Sequence, residues 1–298
     1  MSSFKRITRA YETARRLSFN DDSKFIIFSD CHRGDNSFAD DFANNRNIYF
    51  HALQDYYKNG FTYCELGDGD ELWENLFFKD IFEAHQNVYG LMKLFYAENR
   101  LHRLVGNHDM VYSNQKFVEK TLYNYFDKIT GKESPLFPGI SFPEGLILEH
   151  EITGQEIFMM HGHQADWMNY VGWRFNRFMA RVLWRQLQIF GFGDPTSPAK
   201  NYKELIKVER RTKKWIVANA NIFTIIGHTH RPRFPEPGDI AFFNDGSCVH
   251  PRSITGLEIE NGEISLIKWQ IATTEDGILK VVRMLLEGPQ KLIYYKTE

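Results

Sequence analysis

The sequence predicts an α/β protein whose working surface lies at the carboxyl ends of its strands. Two observations carry that prediction. Short apolar runs alternate with longer stretches of helical periodicity. Five of those runs stop at a turn bearing acids, histidines or asparagine, and loops at strand carboxyl ends converge in α/β folds, which is where sites collect. A composition of 43% hydrophobic and 25% charged residues suits a packed core. The 298 residues fit a single domain, 1–298, carrying an insertion.

Residues 1–17 hold Lys5, Arg6, Arg9, Arg15 and Arg16 without a continuous apolar run, so they read as an amphipathic helix and not a signal peptide. Residues 24–28 make a buried strand that stops at Ser29-Asp30-Cys31-His32-Arg33-Gly34-Asp35. A helix over 39–57 ends at Asn59-Gly60. The strand 61–66 runs into Gly67-Asp68-Gly69-Asp70-Glu71, and one long helix follows over 77–97. The strand 101–105 stops at Gly106-Asn107-His108-Asp109. A helix over 114–128 and a Gly- and Pro-marked loop over 130–145 come next. Residues 146–150 and 156–160 pair as a hairpin around Thr153-Gly154 and deliver His161-Gly162-His163. The strand 222–226 delivers Gly227-His228-Thr229-His230, and 240–243 ends at Asn244-Asp245. Residues 257–269 form a hairpin about Asn261-Gly262.

Between Asp166 and Trp215 the chain changes character. Eleven Lys or Arg against four acids give +7, so the rest of the −2 chain carries −9. That asymmetry predicts a helical cap insertion over 165–220 in an acidic body. Trp167, Trp173, Phe175, Phe178 and Trp184 read either as the core of a helical hairpin or as part of a binding wall. Arg174, Arg177, Arg181 and Arg185 share one helical face. A basic face beside an anion-processing site attracts substrate; a basic aromatic face also suits peripheral contact with anionic lipid headgroups.

The chemistry sits in the turns. Six of the 11 histidines fall there: His32, His108, His161, His163, His228 and His230. Asp30, His32, Asp68, Asn107, His161, His228 and His230 form an oxygen and imidazole set with no thiolate, which suits manganese best, with iron or zinc as the other choices. Seven donors exceed one tetrahedral ion but fit two ions sharing a carboxylate. Two divalent ions ~3.5–4 Å apart generate a bridging hydroxide and neutralise a phosphoryl transition state. The expected reaction is therefore phosphoester hydrolysis.

These turns resemble the signature of the calcineurin-like metallophosphoesterase family. Asp30-Cys31-His32, Gly67-Asp68-Gly69-Asp70-Glu71, Gly106-Asn107-His108-Asp109, His161 and Gly227-His228-Thr229-His230 occur in the family's order. The resemblance implies a four-layer α-β-β-α sandwich of two mixed sheets flanked by helices, with the cap inserted. It implies one ion on Asp30, His32, Asp68 and His230, and a second on Asp68, Asn107, His161 and His228. His108 matches the histidine that protonates the leaving oxygen, with Asp109 orienting it, and Glu71 matches a supporting position. The finer resemblance is to the branch of bacterial UDP-diacylglucosamine hydrolases, which has arginine where this chain has His108. A nucleotide-sugar or lipid-linked phosphoester or pyrophosphate is the substrate it implies. A phosphoprotein phosphatase, a cyclic-nucleotide or general phosphodiesterase and a non-catalytic scaffold are the other readings of the same motifs.

Outside the ligand set, Arg33 is a candidate clamp for a substrate phosphate or a member of a structural ion pair. His163 is a candidate contact to a ligand or phosphate, or a solvent-facing turn residue. Arg174, Arg177 and Arg181 are candidate substrate contacts. Cys31, Cys64 and Cys248 lie far apart and show no Cys-x-x-Cys spacing, which suits a reducing compartment, and Cys31 and Cys64 read as packing residues. The sequence lacks any apolar run of about 18 residues, and a cytoplasmic location is expected. A net charge of −2 argues against nucleic acid as partner.

Overall fold

Strand β2 (Phe25–Phe28) shows why the chain stacks in layers. All four residues are buried. Phe25 and Ile27 pack inward against residues of a second sheet, while Ile26 and Phe28 pack outward against helices. Side chains alternate across a strand, so a continuous apolar run covers both of its faces.

The computed structural model describes residues 1–181, 202–273 and 275–296. One sheet joins β2 to β3 (Thr62–Glu65) and β4 (Leu101–Arg103) in parallel, and to β11 (Ser253–Glu260), β12 (Glu263–Thr273) and β13 (Leu279–Lys291) antiparallel, in the order β13-β12-β11-β2-β3-β4. The other has the order β1-β7-β8-β9-β10, made of β1 (Arg15–Phe19), β7 (Gly145–His150), β8 (Glu156–Met160), β9 (Phe223–Ile226) and β10 (Phe242–Asn244). Between the sheets lie Ile27, Cys64, Leu66, Leu148, Ile157, Met159, Ile225 and Leu257. Truncating one of these to alanine would cost about 2–5 kcal/mol, because the close-packed layer relaxes little around the void.

Helices Arg46–Lys58, Phe78–Ala84 and Gln86–Ala97 cover the outer face of the six-stranded sheet. Helices Ser3–Glu12 and Tyr202–Ala218 cover the five-stranded one, where Trp215 packs on Phe158 and donates from Nε1 to Thr8 Oγ1 at 2.9 Å. The four-layer α-β-β-α order expected from the resemblance is present. Of the stretch 165–220, the start lies at the rim as helices Trp167–Val171 and Trp173–Met179, and its last helix lies against the sheet. Trp184 and Arg185 lie outside the described residues.

Several predicted boundaries shift, for local reasons. The first helix ends at Glu12, not 17, because Arg15–Phe19 joins the sheet edge beside β7, burying Phe19. The second starts at Arg46, since Asp40 ties residues 36–42 into turns by accepting from Asn36 and Phe42 amides. The helix predicted over 77–97 breaks at His85, whose φ of −126° is not helical and whose ring bonds Asp40. Instead of helix over 114–128 and loop beyond, helix Gln115–Leu122 gives way to a small hairpin of β5 (Asn124–Asp127) and β6 (Lys132–Pro135).

In the parallel parts of both sheets, β2, β3, β4, β8 and β9 end at the same rim. Asp30, Asp68, Asn107, His161 and His228 follow them within four residues. The rim is where the site stands.

Candidate metal centre

Five of the seven predicted ligands occupy left-handed backbone: Asp30 (φ 51°), His32 (48°), Asp68 (50°), His228 (64°) and His230 (52°). Each such residue costs on the order of 1–3 kcal/mol, and such strain persists only where the surroundings over-determine it. Here Asp30 Oδ2 accepts from the His228 amide at 2.8 Å, and Asp68 Oδ1 accepts from the His108 amide at 2.8 Å. Gly106 permits the second approach, because a Cβ there would overlap the Asp68 carboxylate.

The side chains fall into two groups, Asp30/His32/His230 and Asp68/His161/His228, in each of which the ligand atoms lie within 4.8 Å of one another. Asp68 Oδ2 is 3.1 Å from His161 Nε2 and 3.8 Å from His32 Nε2, so it lies between them. Asn107 Oδ1 joins the second group at 3.2 Å from His161 Nε2.

The donor chemistry fits cations. His161 Nδ1–H donates to the Leu66 carbonyl at 2.8 Å and His32 Nδ1–H to Glu71 at 2.8 Å, which leaves each Nε2 lone pair facing the centre. His32 Nε2 and Asp30 Oδ1 are buried with no hydrogen-bond partner, although Asp30 Oδ1 is 3.0 Å from His230 Nε2. Lone pairs of carboxylate, amide and imidazole therefore converge in a buried space. Without a cation, protons must take its place. Burial alone lowers the pKa of His161, but the Asp68 and Asp30 carboxylates hold it up at about 9. Burial likewise opposes ionisation of Asp30, and the imidazoles of His230 and His161 keep it well below the usual carboxylate range.

Around these groups stands a supporting layer. Glu71 accepts from His32 Nδ1 and, at 2.7 Å, from His108 Nδ1; burial opposes its charge, but His108 and His32 hold its pKa at about 2. Trp73 stacks on the His108 ring with centroids 4.0 Å apart. Asp109 does not orient His108 as predicted. Its two oxygens accept from the Gly106 amide (2.6 Å) and the Gly69 amide (2.9 Å), pinning two of the turns together, while burial and then Asp68 push its pKa up to about 7.

Arg33 is not a substrate clamp. It is fully buried, with both terminal nitrogens on Glu65 (2.6 and 2.9 Å) and Nε on Asp70 (3.0 Å). Arg103 completes a four-charge network on the same two acids. His163 is not solvent-facing. It is fully buried between His161 and Tyr170, both ring nitrogens lack partners, and burial, then His161 and His228, drive its pKa well down. Arg174 is exposed over Trp173. Arg177 is partly buried beside Arg181 and feels Glu71, and Arg181 donates to the Leu72 and Asn75 carbonyls. Arg177 and Arg181 thus lie along the rim beside the Glu71 turn, and Arg174 is not brought to it.

Three further residues belong to the site. Asp166 Oδ2 is 3.5 Å from His228 Nε2, and although burial opposes its charge, His228 keeps its pKa near about 2. Ser29 Oγ stands 2.5 Å from Asp30 Oδ2 and 2.8 Å from Asp245 Oδ1. Ser29 has one hydroxyl proton to donate between the two carboxylates, and burial together with Asp30 pushes the Asp245 pKa well up. Both acids are visible in the sequence, but no ligand spacing marks them. Cys31, Cys64 and Cys248 are buried free thiols.

No protein-family model and no curated protein matches the chain. Among solved structures, Vps29 of Chaetomium thermophilum is similar at 11% identity and a TM-score of 0.40, over 89% of this chain and 95% of that one. Vacuolar Protein Sorting 29 of Cryptosporidium parvum is similar at 14% identity and a TM-score of 0.38, over 89% of this chain and 98% of that one. No described helix is long and apolar enough to cross a membrane.

Proposed function

We propose that the chain is a calcineurin-like metallophosphoesterase that uses two divalent ions, manganese first among them. The observation that carries this reading is Asp68, whose Oδ2 lies between His32 of a partly buried Asp30/His32/His230 group and His161 of its own buried Asp68/His161/His228 group. Asp30, His32, His230 and Asp68 would hold one ion; Asp68, Asn107, His161 and His228 the other. Such a pair supplies charge neutralisation for a phosphoryl group and a nucleophile at neutral pH.

The protein's own residues do the rest. Glu71 and Trp73 fix the His108 ring, so a proton held on its Nε2 can pass to the leaving oxygen. Leu66 and Glu71 fix the tautomers of His161 and His32, and Asp166 turns His228. Arg177 and Arg181, beside the Glu71 turn, would attract an anionic substrate. A nucleotide-sugar or lipid-linked phosphoester or pyrophosphate is the substrate class that motifs and rim favour.

The test is metal content of the purified protein by atomic emission, followed by hydrolysis of monoesters, diesters and pyrophosphates with manganese added. Two equivalents of metal and manganese-dependent turnover on one class are expected. Protein that takes up no divalent metal and cleaves none of the three would overturn the reading.

A further inference from the structure

Helices Trp167–Val171 and Trp173–Met179 expose an apolar face that nothing described covers. Trp167 is 60% exposed, Met168 51%, Val171 54%, Phe175 67% and Phe178 59%. Large apolar side chains gathered on one exposed stretch mark an interaction surface, whereas single ones do not. Arg181 grips the Leu72 and Asn75 carbonyls, and the next residues, Leu76 and Phe77, are again 57% and 65% exposed.

Charge decides what fits there. Residues 167–181 contain Arg174, Arg177 and Arg181 and no acid, within a chain of net −2. Arg174 is exposed among the apolar side chains. Aromatic and aliphatic side chains interleaved with cations on short surface helices match the boundary of an acidic bilayer, where apolar groups enter the acyl region and cations meet headgroups. The polar side of the same helices is the attached one: Asp166 caps the first by accepting from the Met168 and Asn169 amides, and buried Asn176 bonds Asn169. Among the described residues, the apolar side is left uncovered.

We propose that this face docks the protein onto an anionic lipid bilayer, with Trp167, Met168, Val171, Phe175 and Phe178 entering the interface and Arg174 on the headgroups. The proposal does not depend on the phosphoesterase reading. It is tested by sedimenting the full chain with vesicles of phosphatidylcholine alone and of phosphatidylcholine containing phosphatidylglycerol. Wild type should sediment with the acidic vesicles only, and added salt should reduce the bound fraction. Phe175→Ser/Phe178→Ser, and separately Trp167→Ser/Val171→Ser, should each lower the bound fraction about tenfold with an unchanged melting midpoint. Wild type that stays in the supernatant with acidic vesicles would overturn the proposal, as would folded variants that sediment like wild type. Light scattering that shows a dimer dissociated by the same substitutions would assign the face to a second copy of the chain instead.

Discussion

Glu71 and His108 are joined at 2.7 Å, and the same carboxylate holds His32. One acid therefore aligns both the proton-bearing histidine and a metal-group histidine. Glu71→Gln retains the shape but removes the charge and one of two equivalent acceptors. Turnover should fall by about 10–100-fold with KM little changed, and the ion held by His32 should bind less tightly, because the change acts through the orientation of both rings. Asp109→Asn should act differently, loosening the Gly69 and Gly106 amides it binds. Equal kcat in wild type and Glu71→Gln would remove Glu71 from the orienting role.

Asp68 makes the sharpest single prediction. Asp68→Asn keeps an oxygen and its bond from the His108 amide but loses the charge shared between the two groups. Bound metal should drop from two equivalents toward one, and activity by at least about a thousandfold, since neither ion can then sit in a fixed pair. Metal content is read by atomic emission on the same sample. Full content and full turnover would refute the dinuclear assignment.

Asp166 tests the support of one ligand alone. Removing a carboxylate that orients a metal-binding histidine weakens affinity by about 10–100-fold. Asp166→Asn keeps the helix cap it provides and leaves His228 less firmly turned. Competition with a chelating dye should show one of the two equivalents weakened, with activity restored by excess manganese. Two equivalents bound as tightly as in wild type would show that His228 needs no such partner.

The sequence made the candidate ligands legible because they follow strand ends closely, and the strands are short, apolar and easy to place. For Arg33 the structural ion pair is the alternative that holds, and for Asp109 the orienting role is not seen, because both neighbour candidate ligands and proximity along the chain says nothing about which way a side chain turns. Arg33 points into the sheet toward Glu65 from the adjacent strand; nothing in Asp30-Cys31-His32-Arg33 announces it. Trp73 and Asp166 lie outside any ligand spacing and are recruited by tertiary packing. Among the elements, the helix predicted over 114–128 fails at Asn124, where pairing with Pro135 outweighs helical periodicity. Alternation in Arg15–Phe19 is visible in hindsight, but its exposed sheet-edge face resembles the polar side of a helix.

Arg33 gives a stability prediction free of catalysis. Removing one member of a buried ion pair leaves its partners charged and unpaired, a loss of about 3–5 kcal/mol. Arg33→Ala strands Glu65 and Asp70 with Arg103 alone. Its urea midpoint should fall sharply, while KM of any surviving activity stays near wild type. A raised KM with unchanged stability would return Arg33 to the substrate.

Asp70, the other acid of that network, makes stability depend on acid. It accepts from Arg33, Arg103, Tyr89 at 2.5 Å and Tyr112 at 2.7 Å. Burial would raise its pKa, but Arg103 and Arg33 outweigh burial and hold it well below its ordinary 3.8. Below that value the unfolded chain binds a proton at this position that the folded chain does not, so stability rises with pH there. Its contribution is complete above the unfolded value and is lost as pH falls through the folded one. Urea midpoints measured from about pH 5 down to about pH 3 should therefore fall for wild type. Asp70→Asn should start lower at neutral pH, having lost a buried charge, and fall less steeply over the same range. Parallel slopes for the two proteins would mean that Asp70 is protonated in the fold, and that the two arginines are neutralised by Glu65 alone.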